Sequence, residues 1–252
     1  MVKRTLFLLY GVVCYGFFLV AFLYAVGFVG NLIVPKSMDT GETTSLQSAI
    51  LINLVLLGVF AIQHSVMARK GFKEVWTKVI PQPIERSTYV LLTSLALGLL
   101  YWQWQPINIV FWDLSGTVWA YILWGLCATG WLIVFLSTLM IDHFDLFGLR
   151  QVYFYFQEKE YEPLEFKKIL FYKYVRHPIY LGFIIASWAT PIMTFAHFVF
   201  AFAISAYVLL GMFLEEQDLV AIYGEQYQEY KKAVPMLIPK LSGQKIQKHD
   251  AG

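Results

Sequence analysis

Two polar clusters bracket one apolar segment late in the chain, and they are the residues best suited to chemistry. Arg176 and His177 precede this segment, and Glu215 and Glu216 close it. Each half of the segment has about 19 residues, which at ~1.5 Å per helical residue approaches the ~30 Å thickness of a bilayer core. A turn near residues 191–197 therefore brings both clusters to one membrane face.

Together the two clusters suit a ligand that carries both charges. Pro178 favours the first turn of a helix, where free backbone N–H groups beside Arg176 and His177 hold an anion. The two glutamates offer the opposite charge, and the ring of Tyr180 suits a cation, a contact that gains about 0.5–2 kcal/mol. S-adenosylmethionine, with its carboxylate, ammonium, ribose hydroxyls and sulfonium, is a ligand of this kind.

Roles without a ligand stay open for the same residues. The glutamates also fit a solvated helix end or ion-pair partners of Arg176, and His177 also fits a helix cap. A glycine at position 182 allows the close approach of either a ligand or a neighbouring helix.

The composition places the site in a membrane protein. Of 252 residues, 58% are hydrophobic and only 14% are charged, which is typical of a polytopic membrane chain. The basic residues are scattered among acidic ones, so no nucleic-acid footprint is present. Cys14 and Cys127 fall inside apolar segments, which favours free thiols over a disulfide.

The apolar blocks predict an all-α fold, a polytopic membrane helix bundle in a single domain over residues 1–252. The first block is longer than the apolar core of a signal peptide, and the last counts as a helical hairpin, although its first leg, 178–191, also fits a partial or tilted crossing. About six crossings result. The blocks are residues 5–30, 49–67, 89–104, 118–141 and 178–214.

Basic residues in the loops predict the orientation, because Lys and Arg favour the cytoplasmic side. The segment 105–117 carries none, whereas the segments on the other side are rich in them. Both termini and the site are therefore expected on the cytoplasmic side of the inner membrane, with a polar loop over 153–173 and an amphipathic helix within 224–239. The basic residues of the first segment are Arg69, Lys70, Lys73, Lys78 and Arg86. Those of the second are Arg150, Lys159, Lys167, Lys168, Lys173 and Arg176, and those of the tail are Lys231, Lys232, Lys240, Lys245 and Lys248.

Several motifs, taken in order, resemble a known family. Residues 176–182, Glu215-Glu216, Tyr227 with Tyr230, and 234–239 are similar to the C-terminal signature of the isoprenylcysteine carboxyl methyltransferase superfamily. This resemblance implies a membrane enzyme that uses S-adenosylmethionine as methyl donor, bound within about 142–240. The donor site that it implies consists of Arg176, His177, Tyr180, Leu181, Gly182, Glu215 and Glu216. The stretches 63–69, 84–90 and 143–151 resemble the methanethiol S-methyltransferase branch, which implies conversion of methanethiol to dimethyl sulfide.

Methyl transfer to sulfur is a direct displacement in which the protein must deliver a thiolate. A thiol with a pKa of about 8.5 or higher is mostly protonated at neutral pH, so a nearby base or cation helps. His143 is the first candidate, because Asp142 or Asp145 can orient its ring, although it also fits an interfacial histidine paired with Asp145. His64 is the second, although it also fits a polar helix end. Arg86 can stabilise the thiolate or bind a lipid headgroup, and Glu85 can pair with Arg86.

Other classes of function are less well supported by the sequence. A haem protein needs axial ligands such as His64 and His197, which the predicted topology places at opposite faces. A transporter or non-catalytic membrane partner lacks the polar midplane residues that mark a transport site. A prenylcysteine carboxylate or a phospholipid amine is the alternative acceptor. A small thiol and membrane lipids are the expected partners, with no metal, no nucleic acid and no obligate protein partner; His197 and His249 are not expected to be catalytic.

Overall fold

The computed structural model describes residues 1–164 and 166–239, and helices dominate it. Lys240, Lys245, Lys248 and His249 of the basic tail lie outside the described residues. The helices are α1 (Val2–Gly30), α2 (Leu46–Ala68), α3 (Lys70–Trp76), α4 (Gln82–Gln103), α5 (Val118–Ile141), α6 (His143–Leu146), α7 (Leu149–Phe156), α8 (Pro178–Trp188), α9 (Phe195–Tyr223) and α10 (Glu225–Ala233), with a 3-10 turn at Leu170–Lys173. The strands are β1 (Val110–Asp113) and β2 (Ile192–Thr194).

Four helices have the length and apolar composition of membrane spans, namely α1, α2, α5 and α9. Their outward faces carry exposed large apolar residues such as Leu51 and Leu210, which is the pattern expected against lipid. The predicted helical membrane bundle is confirmed by these four helices. The number of six crossings stays a prediction, because it also needs α4 and the short α8.

Side-chain contacts define the two ends of the bundle. At one end, Arg69 after α2 pairs with Asp218 on α9 at 2.9 Å, and the Nε of Arg86 on α4 donates to the carbonyl of Leu146 at 2.8 Å. At the other end, Thr194 before α9 donates to Asp39, in the loop between α1 and α2, at 2.5 Å. The loops on the basic side of the predicted topology therefore share one end of the molecule.

A small antiparallel sheet, which the sequence did not predict, accompanies the helices of the all-α fold within the described residues. β1 pairs with β2, with Val110 opposite Thr194 and Asp113 opposite Ile192. The two strands lie in the α4–α5 loop and in the turn of the hairpin, which close at the same end of the bundle. Extended backbone there satisfies its N–H and C=O groups by pairing, which an isolated loop does not achieve.

The hairpin is also less symmetric than the sequence indicates. Helix α8 has 11 residues and spans about 16 Å, roughly half of a bilayer core, whereas α9 has 29 residues. The residue before Pro191 is Thr190, and a residue before proline is disfavoured in the α conformation. The first leg of the hairpin is thus a short helix followed by an extended segment.

Helix α8 is held against α5 by close backbone contact. A Cβ added at Gly182 would lie 2.6 Å from the carbonyl oxygen of Gly130, and one added at Gly130 would lie 2.6 Å from the backbone nitrogen of Ala186. Small residues let helix backbones approach in this way. Gly182 therefore serves helix packing, and this packing fixes the start of α8, where the polar cluster lies.

Replacing Gly182 by alanine is expected to destabilise the fold, because the new methyl group must displace the backbone of α5. Overpacking of this kind costs about 1–3 kcal/mol. Thermal unfolding in detergent measures the change, with Gly98→Ala on α4 as the matched control, since nothing lies within 4 Å of a Cβ added there. Equal melting temperatures for the two variants would contradict the packing role.

Candidate active site

A buried carboxylate joins the two polar clusters. Glu216 is 4% exposed, and its Oε1 accepts hydrogen bonds from the Nε of Arg176 at 2.6 Å and the Nε2 of His177 at 3.1 Å. The Nζ of Lys231, on α10, lies 2.9 Å from Oε2. The structure thus brings the beginning of α8 and the end of α9 together at one end of the bundle, as the sequence predicts.

Arg176 directs three of its five side-chain N–H groups to partners within the protein. Its Nη1 donates to the carbonyls of Lys231 and Val234, in addition to the bond from Nε to Glu216. Its backbone N–H donates to the carbonyl of Pro235 at 2.9 Å. The side chain therefore ties the C-terminal segment to the hairpin. It also forms the ion pair with a glutamate that the sequence left open as an alternative to ligand binding.

The C-terminal segment packs through an aromatic cluster. The predicted amphipathic helix is present as α10, whose buried face carries Tyr227 and Tyr230 against Phe166. Burial raises the pKa of Tyr230 to about 12, so its hydroxyl stays protonated and donates to the carbonyl of Tyr172 at 2.6 Å. These contacts hold Lys231 in place beside Glu216.

Glu215 is the accessible carboxylate of the pair. Its side chain is 43% exposed, and its Oε2 accepts a hydrogen bond from the Tyr180 hydroxyl at 2.7 Å. The Nδ1 of His177 lies 3.8 Å from the same oxygen. Helix α8 begins here, and the backbone N–H groups of Ile179 and Tyr180 have no partner within the described part of the chain. A partly open site with acceptors and donors thus surrounds Tyr180, and Leu181 follows it on the helix.

A cleft of about 280 Å³ lies beside this cluster, at the junction of α9 and α10. Its volume is close to the lower limit of roughly 300 Å³ for pockets that hold drug-sized ligands. Charged groups and apolar side chains both line it, so it can take a ligand of mixed character. The lining residues are Phe213, Glu216, Gln217, Val220 and Lys231.

His64 lies in an aromatic cluster between α2, α4 and α9. The Tyr89 hydroxyl is 2.9 Å from its Nδ1 and 3.1 Å from its Nε2, so one hydroxyl meets one edge of the ring. The ring stacks on Phe60 with centroids 5.4 Å apart and meets Tyr207 edge-on at 6.4 Å. The guanidinium of Arg86 lies 5.1 Å from the centroid of the Tyr89 ring. No other hydrogen bond to the imidazole is formed within the described part of the chain.

His143 lies in a separate cluster formed by α1, α5 and α6. Its Nδ1 is 2.8 Å from the Thr138 hydroxyl, and its Nε2 is 2.8 Å from the Tyr15 hydroxyl. Thr138 gives its only hydroxyl proton to the carbonyl of Phe135, so Nδ1 carries the imidazole proton and Nε2 accepts from Tyr15. Both ring nitrogens are thus engaged, and burial lowers the pKa of His143, which keeps the ring neutral.

Among the described residues, neither Asp142 nor Asp145 forms the expected hydrogen bond to His143, whose partners are Tyr15 and Thr138. Asp145 accepts hydrogen bonds from Arg150 at 3.2 Å and from Tyr161 at 2.8 Å, and Asp142 accepts from the backbone of Asp145. Asp142 caps the start of α6, where such a group bonds to backbone N–H, and Asp145 links α6 to the side chains of Arg150 and Tyr161. The predicted pairing of Glu85 with Arg86 is likewise not formed among the described residues.

The sequence did not identify Tyr15, Tyr89, Tyr207 and Lys231 as site residues. One signal was present for Tyr207, because it lies two helical turns before Glu215 on the same ridge of α9. The other three come from different elements and carried no signal. His197 is fully buried at the opposite end, where its Nε2 donates to the carbonyl of Ser187 at 2.8 Å.

Comparison with known proteins gives full-length similarities. The chain is 58% identical over 237 residues to the methanethiol S-methyltransferase of Crocosphaera subtropica, covering 94% of this chain and 93% of that protein. It is 52% identical to the methanethiol S-methyltransferase of Mycobacterium tuberculosis, covering 94% and 97%. Nurim of Mus musculus is 32% identical over 187 residues, covering 71% of each chain. No family model matches the chain, and no solved structure does.

Removing the buried arginine is expected to destabilise the protein far more than removing an exposed one. Arg176→Met leaves Glu216 buried and short of a cation, a loss of about 3–5 kcal/mol. Arg69→Met is the matched control, because its pair with Asp218 is 38% and 57% exposed and is worth about 0–1 kcal/mol. Thermal unfolding measures both, and similar losses in the two variants would contradict a central role for the buried pair.

Proposed function

Because the chain belongs to the methanethiol S-methyltransferase family, we propose that it methylates methanethiol to dimethyl sulfide, with S-adenosylmethionine as the methyl donor. The observation that carries this proposal is the 52–58% identity to relatives of that name over more than nine tenths of both chains. The same identities disfavour a prenylcysteine carboxylate, a phospholipid amine or a transport function as the alternative.

The residues at the ends of α8 and α9 fit this donor. The part-exposed carboxylate of Glu215 suits an ammonium or ribose hydroxyls, and the open N–H groups of Ile179 and Tyr180 suit a carboxylate. The ring of Tyr180, whose hydroxyl is already anchored on Glu215, suits a sulfonium. When bound, the donor supplies a methyl group on a positively charged sulfur.

The chain's own residues divide into holding and binding groups. Arg176, Glu216 and Lys231 hold the two helix ends and α10 in register, since their polar atoms are used on one another. Tyr180 and Glu215 keep polar atoms for the ligand, and His177 bridges the two groups by its bond to Glu216. Gly182 keeps this surface in close contact with α5, and Leu181 precedes it on α8. Rigid placement of this kind is the main contribution that a protein makes to a direct displacement.

The acceptor must lose its thiol proton to become a strong nucleophile. His143 and His64 are the two candidates for the base, with Arg86 near the second. His143 has both ring nitrogens engaged, whereas His64 has one hydroxyl at one edge of its ring. Asp145 supports the fold around His143 through Arg150.

We further propose six crossings of the inner membrane, with both termini and the site on the cytoplasmic side. The support is the shared end of the basic loops, together with four helices of spanning length and composition. Helix α8 and its extended continuation complete the fifth crossing. The donor, which is charged and derived from a nucleotide, is available on that side.

Membrane vesicles that contain the chain are expected to release dimethyl sulfide when they receive S-adenosylmethionine and methanethiol. Inverted vesicles should be active and right-side-out vesicles inactive, because the charged donor does not cross the bilayer. Gas chromatography of the headspace measures the product, with vesicles lacking the chain as the control. Methylation of a phospholipid or prenylcysteine in place of methanethiol would contradict the proposed acceptor. Activity of sealed right-side-out vesicles would contradict the proposed cytoplasmic location of the site.

Glu215→Gln is expected to weaken donor binding without unfolding the protein. The amide still accepts the Tyr180 hydroxyl but lacks the charge for an ammonium, a loss of about 1.5–3 kcal/mol and hence at least about tenfold in affinity. Calorimetry with S-adenosylhomocysteine and S-adenosylmethionine measures it. Glu229→Gln, whose carboxylate pairs with Lys232 on the exposed face of α10, is the control. Unchanged affinity in Glu215→Gln would remove this residue from the site.

A further inference from the structure

An apolar groove of about 170 Å³ lies between α2 and α9, away from the cluster at Glu216. It is flanked by outward-facing apolar residues, since Ile62 on α2 and Phe202 on α9 are 66% and 61% exposed. In a membrane, such a groove opens to lipid. Its lining includes Leu57, Gly58, Phe60 and Ala61 from α2, and Ala203 and Tyr207 from α9.

The size of the groove limits what it can hold. Pockets for drug-sized ligands measure roughly 300–1,000 Å³, and one water molecule occupies about 30 Å³ of liquid volume. A phospholipid or a prenyl chain is too large for 170 Å³. An alkanethiol with a single carbon fits it, and the apolar walls favour such a molecule over water.

One ridge of α9 connects the groove to the proposed donor site. Ala203, Tyr207, Gly211 and Glu215 follow one another at intervals of four residues, which places them along the same side of the helix. The Tyr180 hydroxyl, which bonds to Glu215, lies 3.9 Å from the position of a Cβ on Gly211. The groove, which Tyr207 lines, therefore begins about one helical turn from the Tyr180 hydroxyl of the proposed donor site.

The imidazole of His64 lies behind two residues that line the groove. Phe60 and Tyr207, which line it, contact the imidazole of His64 on two sides. The Tyr207 hydroxyl is held by Ser65 at 3.0 Å, and the Tyr89 hydroxyl meets one edge of the imidazole. The Tyr89 hydroxyl, within 3.1 Å of both ring nitrogens, is the only hydrogen-bond partner of the imidazole among the described residues and has a single proton to donate, whereas each ring nitrogen of His143 has its own hydroxyl partner.

We infer that the α2–α9 groove is the binding site of the acceptor thiol and that His64, next to its lining residues Phe60 and Tyr207, accepts the thiol proton. The inference rests on the proposed function and deepens it. It identifies the ligand as a short alkanethiol that enters from the bilayer, and it moves the base from His143 to His64.

The step balances without a further reactant. The S–H bond of the thiol breaks, its proton passes to the unprotonated ring nitrogen of His64, and the electron pair stays on the sulfur. That sulfur forms a bond to the methyl carbon of the sulfonium donor. The electron pair of the broken carbon–sulfur bond remains on the donor sulfur, which becomes a neutral thioether. His64 then returns its proton to water at the cytoplasmic end.

Filling the groove tests the location of the thiol. Gly58→Leu places a side chain in the groove, and nothing lies within 4 Å of a Cβ added at Gly58, so the backbone need not move. A change of a methylene or more in an apolar pocket alters kcat/KM by about 10–200-fold. We expect a loss of this size for methanethiol, mostly in KM, with unchanged calorimetric affinity for S-adenosylhomocysteine. Gly125→Leu on the outer face of α5, also without neighbours within 4 Å, is the control and should keep the KM of the native protein.

Replacing the proposed base tests the second half of the inference. His64→Gln can still bond to Tyr89 but cannot accept a proton, so kcat at pH 7 should fall by about 100- to 10,000-fold with donor affinity unchanged. The native rate should fall at acid pH, where His64 is protonated. In His64→Gln this limb should be replaced by a rise at higher pH, which follows the ionisation of the thiol itself.

The outcomes separate this inference from the proposed function. A native protein that forms no dimethyl sulfide overturns the function itself. An active native protein whose Gly58→Leu variant keeps its KM overturns the groove. A His64→Gln variant with native turnover, or with reduced turnover and an unchanged pH profile, would show that His64 is not the base. The same conclusion would follow if only His143→Gln showed the expected loss of turnover and change in pH profile.

Discussion

The buried carboxylate of Glu216 constrains the end of the bundle that carries the proposed donor site. A buried charge of this kind is tolerated only when it is paired and hydrogen-bonded. Arg176, His177 and Lys231 satisfy it from two other elements, the start of α8 and α10. Each of these elements must therefore stay in place for the others to be stable. The proposed donor site is built on this network but uses different atoms, mainly those of Glu215 and Tyr180.

The close packing of α5 and α8 is the second constraint, and it acts on the same site. Gly130 and Gly182 bring the two helix backbones into contact, so α8 has little freedom to slide. A short helix ordinarily has ends that fray, because few residues stabilise it. Anchoring α8 in the middle and at its start gives Tyr180 a fixed position without requiring a long helix.

Helix α9 joins the two halves of the proposed reaction. Its end carries the carboxylates of the donor site, and the same ridge two turns earlier carries Tyr207 beside the α2–α9 groove. An apolar thiol dissolved in the bilayer and a charged donor dissolved in water reach a membrane enzyme from different phases. A single helix that borders lipid at one level and polar groups at the next is suited to bringing two such molecules together.

Much of the architecture followed from the sequence because hydrophobicity and charge act locally. The apolar blocks predicted the long helices, since a spanning segment must satisfy its backbone internally. Equal spacing about the turn also predicted that the clusters at Arg176 and Glu216 share one end. The small sheet was missed, because strand pairing between two loops depends on residues about 80 positions apart in the chain.

The distribution of roles within the site needed the tertiary structure. The sequence identified Arg176, Glu215 and Glu216 as charged neighbours. It did not show that Arg176 bonds to Glu216 and to the carbonyls of the C-terminal segment. It also ranked His143 above His64 on the strength of adjacent aspartates. Proximity in sequence does not determine where a side chain points, and in the fold those aspartates bond to a helix start and to Arg150. Residue types and spacing thus determined which chemistry the chain can perform, while the folded geometry decided which groups remain free, because a hydrogen-bonding group already engaged inside the protein is not available to a ligand.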